Sequence, residues 1–403
     1  MPAVITTTLL YLGDPLLTRF TARVSGHGPW RGAVAVTLDR TAFYPEAGGQ
    51  MPDHSVLGGA RVVDVQVGAD GAVRHVLAPG DAPPDVGSVI TGELDVARRR
   101  DAMSHHTGQH MLSQALLVVS GARTVSSRLG ETVCTVDVDV SAVAERDLLE
   151  AEALVSSRID DDLEVRVYVP LPDELARLRL RRRPKVDRDV RVVDIGGFDI
   201  TPCGGTHCTH TSQVGVLSIL GAERHRGKTR VTFVAGARAR ALLGVRSRTL
   251  AALGRDFSCA PLDVPLAIDA LRRGLLASTQ ALGTVRDRLA EQTARALVAA
   301  APAAIVTGEL PGADIDLLRA VGKAVAAHPE RAALLAAVTS DATHVLASRG
   351  DACDIDCGAL VRALAAAAGG RGGGRPDHAE GRLAAGVDWP ALVARVLADQ
   401  KIR

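Results

Sequence analysis

Over residues 1 to about 90 the apolar positions come in short runs such as AVAVTLD and ARVVDVQV, broken by clusters of Gly, Pro and Asp. Alternation without a sustained helical period predicts strands joined by tight turns, hence a small β-barrel or sandwich. After Asp95, a suitable N-cap, turn residues disappear until Gly121, and this predicts a helix to about Val119 that carries SHHTGQHML. A strand at TVCTVDVDV, a helix near 141–158 and a strand at LEVRVYV follow. RVVDIGGFDITPCGGTH then reads as a strand running into a loop, and VGVLSIL with TRVTFVA as a hairpin about Arg226, Gly227 and Lys228.

From Ile268 the apolar series Leu271, Leu275, Leu282, Val285 and Leu289 recurs in alternating steps of three and four, with Ser278 and Gln292 filling the remaining seam positions. The spacing fits both a coiled-coil arm and a long helix packed on its own domain. Beyond about 303, Ala-rich helices alternate with short β runs (AIVTG, HVLAS) and end near a glycine-rich element, GGRGGGRPDHAEG. The reading is therefore an α+β chain with a β-barrel over 1–92, an α+β domain over 93–240, a helical arm over 241–300 and an α/β domain over 301–403.

Composition sharpens this in two places. Aromatic residues are 2% of the chain, so cores must be built from Ala, Val and Leu, and nucleic-acid contact would run through Arg and backbone rather than base stacking. The six cysteines show no disulfide framework, which fits a reducing compartment where thiolates stay free for metal. The start of the chain lacks the features of a signal peptide and no apolar run is long enough to span a membrane, so a cytoplasmic location away from membranes is expected. A formal charge of +1 announces no acidic partner, and only local patches could bind one.

The candidate chemistry is a metal site. His106 and His110 lie four apart on the expected helix, about 40° apart around its axis, whereas His105 points elsewhere. Cys203 and His207 flank Gly204, Gly205 and Thr206, where glycines would let a loop curl so that two ligands face one ion. A thiolate with imidazoles favours one Zn2+ per chain, with Cys208 and His210 as spare donors. Thr107 and Gln109 stand where helical metalloproteases need Glu, so proteolysis is not expected. Four protein ligands would close a tetrahedral, structural site unless one is loose or the ion becomes five-coordinate during reaction.

TAFYPEAGGQMPD, HHTGQHMLSQAL, TVSSRLGETVCTVDVD and VRVVDIGGFDITPCGGTH, in this order, resemble the alanyl-tRNA editing proteins, free-standing relatives of the editing domain of alanyl-tRNA synthetase. The resemblance runs from the N-terminus to about Arg240, and the C-terminal third is similar to the DHHA1 domain of the long form. It departs from the pattern at Ala47, Met51, Ser55, Ser127 and Arg128. It implies zinc-dependent hydrolysis of Ser-tRNA(Ala), and of Gly-tRNA(Ala) as a second substrate, with His106, His110, Cys203 and His207 as ligands. It also places Thr41, Gly48, Gly49 and Gln50 beside the ester: Thr41 and Gln50 offer hydrogen bonds to substrate, the glycines admit the acceptor end, and Ser126 stays in the pocket.

In ARLRLRRRPK, Arg177, Arg179, Arg181, Arg182, Arg183 and Lys185 form either a grip on acceptor-stem phosphates or a solvated basic face. With the resemblance, Arg371 and Arg375 around Gly372–Gly374 read as a further phosphate site on tRNA(Ala). Homodimerisation would use the arm or the C-terminal domain. The rival readings are a non-catalytic RNA-binding protein with a structural zinc, and a phosphoesterase, which lacks an Asp-rich metal cluster.

Overall fold

Strand Arg19–Trp30 buries Phe20, Ala22 and Val24 while Arg19, Thr21 and Arg23 face water, the period of two that the sequence predicts. The computed structural model that shows this describes residues 7–184 and 186–400, so Lys185 of the basic stretch lies outside the described residues. The chain divides into two compact units, Met1–Ala251 and Ala252–Arg403, and the division falls inside the segment read as an arm.

In the first unit six strands close into a barrel in the order Arg19–Trp30, Ala33–Leu38, Val73–Leu77, Ala60–Val67, Ser55–Leu57 and Val89–Leu94. Leu38, Phe43, Leu57 and Leu77 fill its interior. The barrel delivers the chain to the helix Val96–Ser120, where the Asp95 carboxylate accepts from the Arg98 backbone N–H and Gly121 ends the helix at φ 70°. This helix packs with Glu145–Asp160 against two antiparallel sheets. One has four strands, ordered Leu217–His225, Lys228–Ala235, Cys134–Val138 and Thr124–Leu129, and the other is Val165–Tyr168, Val192–Ile195 and Asp199–Pro202. Met111, Leu112, Leu116 and Phe233 belong to the shared core.

A buried ion pair joins helix to barrel. Arg99 and Asp53 have side chains only 1% and 3% exposed, and the guanidinium donates to both carboxylate oxygens, to the carbonyl of Ala42 at 2.6 Å and to that of Pro15 at 2.8 Å. Asp53 also accepts from the Tyr44 N–H at 2.7 Å. With both charges this fully hydrogen-bonded, the pair specifies one orientation of the helix against the barrel, and removal of either partner would strand the other charge in the interior.

The second unit is a sheet covered on both faces. Its order is Ile305–Glu309, Ala332–Val338, Thr343–Arg349, His378–Leu383 and Arg371–Gly374, parallel at the first pair and antiparallel elsewhere. Along Ala332–Val338 the side chains of Leu334 and Ala336 meet helices Cys357–Ala368 and Trp389–Asp399. Ala333, Leu335 and Ala337 meet helix Ile315–Ala326 and the end of Val264–Ala300. A strand apolar on both faces must be buried on both, which explains the near-continuous Ala and Leu run. Helix Val264–Ala300 buries Ala290 and Ala294 near its C-terminus, while Leu271, Leu275, Leu282, Val285 and Leu289 of the seam are exposed. Among the described residues no helix is long and apolar enough to cross a membrane.

His75 supplies a test of the barrel. It is fully buried, with Nδ1 on the Val36 carbonyl at 3.0 Å and Nε2 on the Thr41 hydroxyl at 2.8 Å, and burial pushes its pKa down to about 4. The unfolded chain therefore binds a proton below about pH 6.5 that the folded chain refuses until about pH 4, so this histidine costs stability as pH falls through that window. In a Trp389→Phe background, where Trp30 fluorescence reports barrel unfolding by urea, we expect a further His75→Gln change to remove about 2 kcal/mol of the loss between pH 7 and 5. Equal losses with and without His75 would refute this.

Candidate metal centre

His106 and His110 project from the same face of helix Val96–Ser120, and Cys203 and His207 come from the loop that follows strand Asp199–Pro202. Their four ligand atoms lie within 4.8 Å of one another. The imidazole centroids are 4.3 to 5.2 Å apart, and Cys203 Sγ is 3.3 Å from His106 Nε2 and 3.4 Å from His207 Nε2. These separations approach the edge of about 3.6 Å that zinc–nitrogen and zinc–sulfur lengths give a tetrahedron. His106, His110 and His207 are buried, and Cys203 is partly buried.

What turns the imidazoles inward is the bond made by each outer nitrogen. Nδ1 of His106 lies 2.7 Å from Gln50 Oε1, an atom that can only accept, so the proton sits on Nδ1 and Nε2 carries a lone pair. Nδ1 of His110 donates to Asp199 at 3.1 Å, and Nδ1 of His207 is hydrogen-bonded to the Thr107 hydroxyl at 3.2 Å, which also accepts from the Cys208 N–H at 3.0 Å. The obligate acceptors on His106 and His110 leave their Nε2 atoms to hold a cation, and all three Nε2 atoms face the common point, the arrangement in which protein histidines bind metal.

The electrostatics couple the donors: burial works against the charged form of His110, but the Cys203 thiolate and the Asp199 carboxylate draw its pKa above the ordinary histidine value. Burial would push the Cys203 thiol up, but the three imidazoles outweigh it and draw the group well below the ordinary cysteine value, favouring thiolate. Burial and neighbouring His106 push His207 down to about 3, so this ring is neutral. Burial also acts on Asp199, where the bonds from His110 and Arg181 prevail and hold the carboxylate well below its usual range.

Gly48 and Gly49, at φ 61° and 86°, form a two-residue turn between Ala47 and Gln50, whose backbones pair in both directions. Leu129 N–H donates to the Gly49 carbonyl at 2.8 Å, and a Cβ on Gly49 would come within 2.6 Å of the Ser127 carbonyl oxygen. The turn thus seats Gln50 in the interior, where its amide also donates to the Thr206 hydroxyl at 2.8 Å and accepts from the Thr206 N–H at 3.1 Å. Gly204 and Gly205 act differently from the expected curl, because neither has positive φ. A Cβ on Gly205 would fall 2.1 Å from His106 Cε1, so the glycine is there to admit the ring.

The structure brings together the four ligands, Gln50 and the Gly48–Gly49 turn that carries it, and places Thr41, Ser126 and the exposed arginines elsewhere. The Thr41 hydroxyl is inside the barrel, donating to His75 and accepting from the Phe43 N–H at 3.1 Å. Ser126 is exposed and donates to Asp137 at 2.7 Å. Arg181 turns inward onto Asp199, whereas Arg177, Arg179, Arg182 and Arg183 are exposed. Arg371 and Arg375 are exposed in the second unit, the latter beside Asp377 at 3.2 Å. His105 is buried, accepting at Nε2 from the Ala235 N–H at 3.0 Å, and Cys208 and His210 stand outside the cluster.

Sequence reasoning missed Thr107, Asp199 and Arg191, whose guanidinium donates to the carbonyls of Cys203 and Gly205 at 2.8 Å each. A signal for Asp199 was present: strand alternation places Asp199, Thr201 and Cys203 on one side of the chain.

Comparison with known proteins follows the same region. Residues 190–232 match the family model of the threonyl and alanyl tRNA synthetase second additional domain. Beyond that segment the chain is homologous to alanine–tRNA ligases and to an alanyl-tRNA editing protein. It is 30% identical over 386 residues to the alanine–tRNA ligase of Ignicoccus hospitalis, covering 93% of this chain and 41% of that one. It is 34% identical over 238 residues to the alanyl-tRNA editing protein AlaX-L of Pyrococcus horikoshii, covering 57% of this chain and 58% of that one. The chain thus spans about half the length of these relatives. The C-Ala domain of Aquifex aeolicus alanyl-tRNA synthetase matches 23% of the chain and 86% of that domain at 18% identity with a TM-score of 0.22, too slight a likeness to assign a fold.

The geometry sets apart two adjacent glycines. Gly205→Ala should displace His106 and lower zinc affinity about 10- to 100-fold in chelator competition, while Gly204→Ala, whose Cβ would meet nothing within 4 Å, should leave it unchanged. Equal affinities for the two variants would contradict this account of the loop.

Proposed function

We propose that the chain is a zinc-dependent hydrolase that frees tRNA(Ala) of a wrongly attached amino acid, with Ser-tRNA(Ala) as the main substrate and Gly-tRNA(Ala) as a second. The observation that carries the reading is the buried set of three imidazoles and one thiol in which every outer imidazole nitrogen is engaged, leaving four donors for one ion. Neutral nitrogens with a thiolate suit zinc over hard cations. The relatedness to an alanyl-tRNA editing protein and to alanine–tRNA ligases supports the substrate class.

Zinc in this site supplies Lewis-acid chemistry, polarising an ester carbonyl or lowering the pKa of water toward 7. The chain's own part is orientation and exclusion. Gln50 and Asp199 hold the outer protons of His106 and His110, Thr107 is bonded to His207, Arg191 fixes the loop carbonyls, and burial of the three histidines limits access of bulk water. In this reading Gly48 and Gly49 let the acceptor end approach Gln50, while Arg182, Arg183, Arg371 and Arg375 meet phosphate. Residues 1–240 carry the editing module, 241–300 the arm, and 301–403 a DHHA1-type tRNA-holding domain. The exposed leucine seam is the surface through which two copies would pair.

The second reading, an RNA-binding protein with a structural zinc, is favoured by the four protein donors, which would complete a tetrahedron unaided. Single-turnover deacylation of Ser-tRNA(Ala) separates the two. The zinc-loaded chain should hydrolyse it in preference to Ala-tRNA(Ala), and chelation should slow the step by more than about a hundredfold, roughly 2.7 kcal/mol, while tRNA binding persists. An unchanged rate after zinc removal would establish the ion as structural.

A further inference from the structure

Arg181 belongs by sequence to a basic stretch, but its environment differs from that of its neighbours. Arg179, Arg182 and Arg183 are exposed; the Arg181 side chain is only 9% exposed and its backbone N–H donates to the Ile200 carbonyl at 2.9 Å. Its Nε donates to Asp199 Oδ1 at 2.6 Å and its Nη2 to Oδ2 at 3.2 Å. The Thr201 hydroxyl donates to the same carboxylate, which is fully buried and receives the His110 Nδ1 proton on Oδ2 at 3.1 Å. A buried carboxylate needs a charged partner, and among the described residues the guanidinium bonded to Asp199 is that of Arg181. The guanidinium fork also fixes the plane of the carboxylate, and hence where Oδ2 meets the imidazole.

We infer that Arg181 is a positioning residue of the metal centre, acting through Asp199 on His110, and not a contact to RNA phosphate. The inference rests on reading the cluster as a metal site. Arg182 reinforces the same strand, since its Nη2 donates to the Pro202 carbonyl at 2.7 Å, one residue before Cys203. The basic stretch thus does two jobs: part of it faces outward, and Arg181 braces the strand that carries the loop ligands.

The test measures metal and RNA separately on the full chain. Arg181→Gln should weaken zinc binding about 10- to 100-fold in chelator competition and alter the visible spectrum of the cobalt-substituted protein with no RNA present. It should leave the salt dependence of tRNA binding unchanged. Arg183→Gln should do the reverse, keeping zinc affinity and lowering the salt slope by about one. Should Arg181→Gln fail to fold, Arg181→Lys, which keeps the charge but loses the fork, carries the test with Asp199→Asn. Each should weaken zinc, and the double variant should weaken it by less than the two effects combined. Unchanged zinc affinity with a reduced salt slope in Arg181→Gln, or strictly additive losses in the Lys/Asn pair, overturns the inference alone. A wild-type chain that takes up no zinc overturns the metal reading and this inference with it.

Discussion

Three imidazoles can face one point only if each gives up its other nitrogen to something else, and the first unit is organised around meeting that requirement. An imidazole left to choose its tautomer would place a proton on Nε2 part of the time and close the site to a cation. Here the three partners are an amide oxygen, a carboxylate and a hydroxyl, so each ring is held by different chemistry. They also come from different places. Gln50 belongs to a barrel turn, Asp199 to a strand end and Thr107 to the histidine helix itself. Three independent elements must therefore fold correctly before four donors share one center.

The barrel matters chiefly because of Gln50. A two-glycine turn carries this residue inward, and the Arg99–Asp53 pair locks the helix bearing His106 against the segment that follows the turn. Asp53 is three residues from Gln50, and Arg99 lies about two helical turns before His106. The ion pair and the Gln50–His106 bond are thus two rungs between the same pair of elements. A buried ion pair adds little net stability compared with apolar packing, but its geometry is exacting, and that is what a site assembled across an element boundary needs.

The parts of this architecture that depend on local pattern were legible in the sequence. Strand alternation, the Asp95 cap and the Gly121 stop delimit the helix, and the spacing of His106 with His110 and of Cys203 with His207 marks out the donors. What depends on partners distant in the chain was not legible. A threonine in a motif that resembles a substrate-binding loop gives no hint that His75 will claim its hydroxyl from across the barrel. A run of arginines likewise looks uniform until one of them meets a buried carboxylate. Gly205 illustrates the same limit: glycine in a loop suggests backbone freedom, whereas the reason for it is the His106 ring, about a hundred residues away.

The bracing of the donors is unequal, and the inequality bears on how four protein ligands can coexist with chemistry. Each histidine is buried and hydrogen-bonded through its own side chain. Cys203 is the partly exposed donor, and the contacts that steady its loop from Arg191 reach backbone carbonyls rather than the thiolate. Were an ion held here, a change in its coordination would meet least resistance at the sulfur. With zinc bound, three braced imidazoles and one less constrained sulfur would reconcile a closed donor set with a position that can open, because a single donor would have to yield.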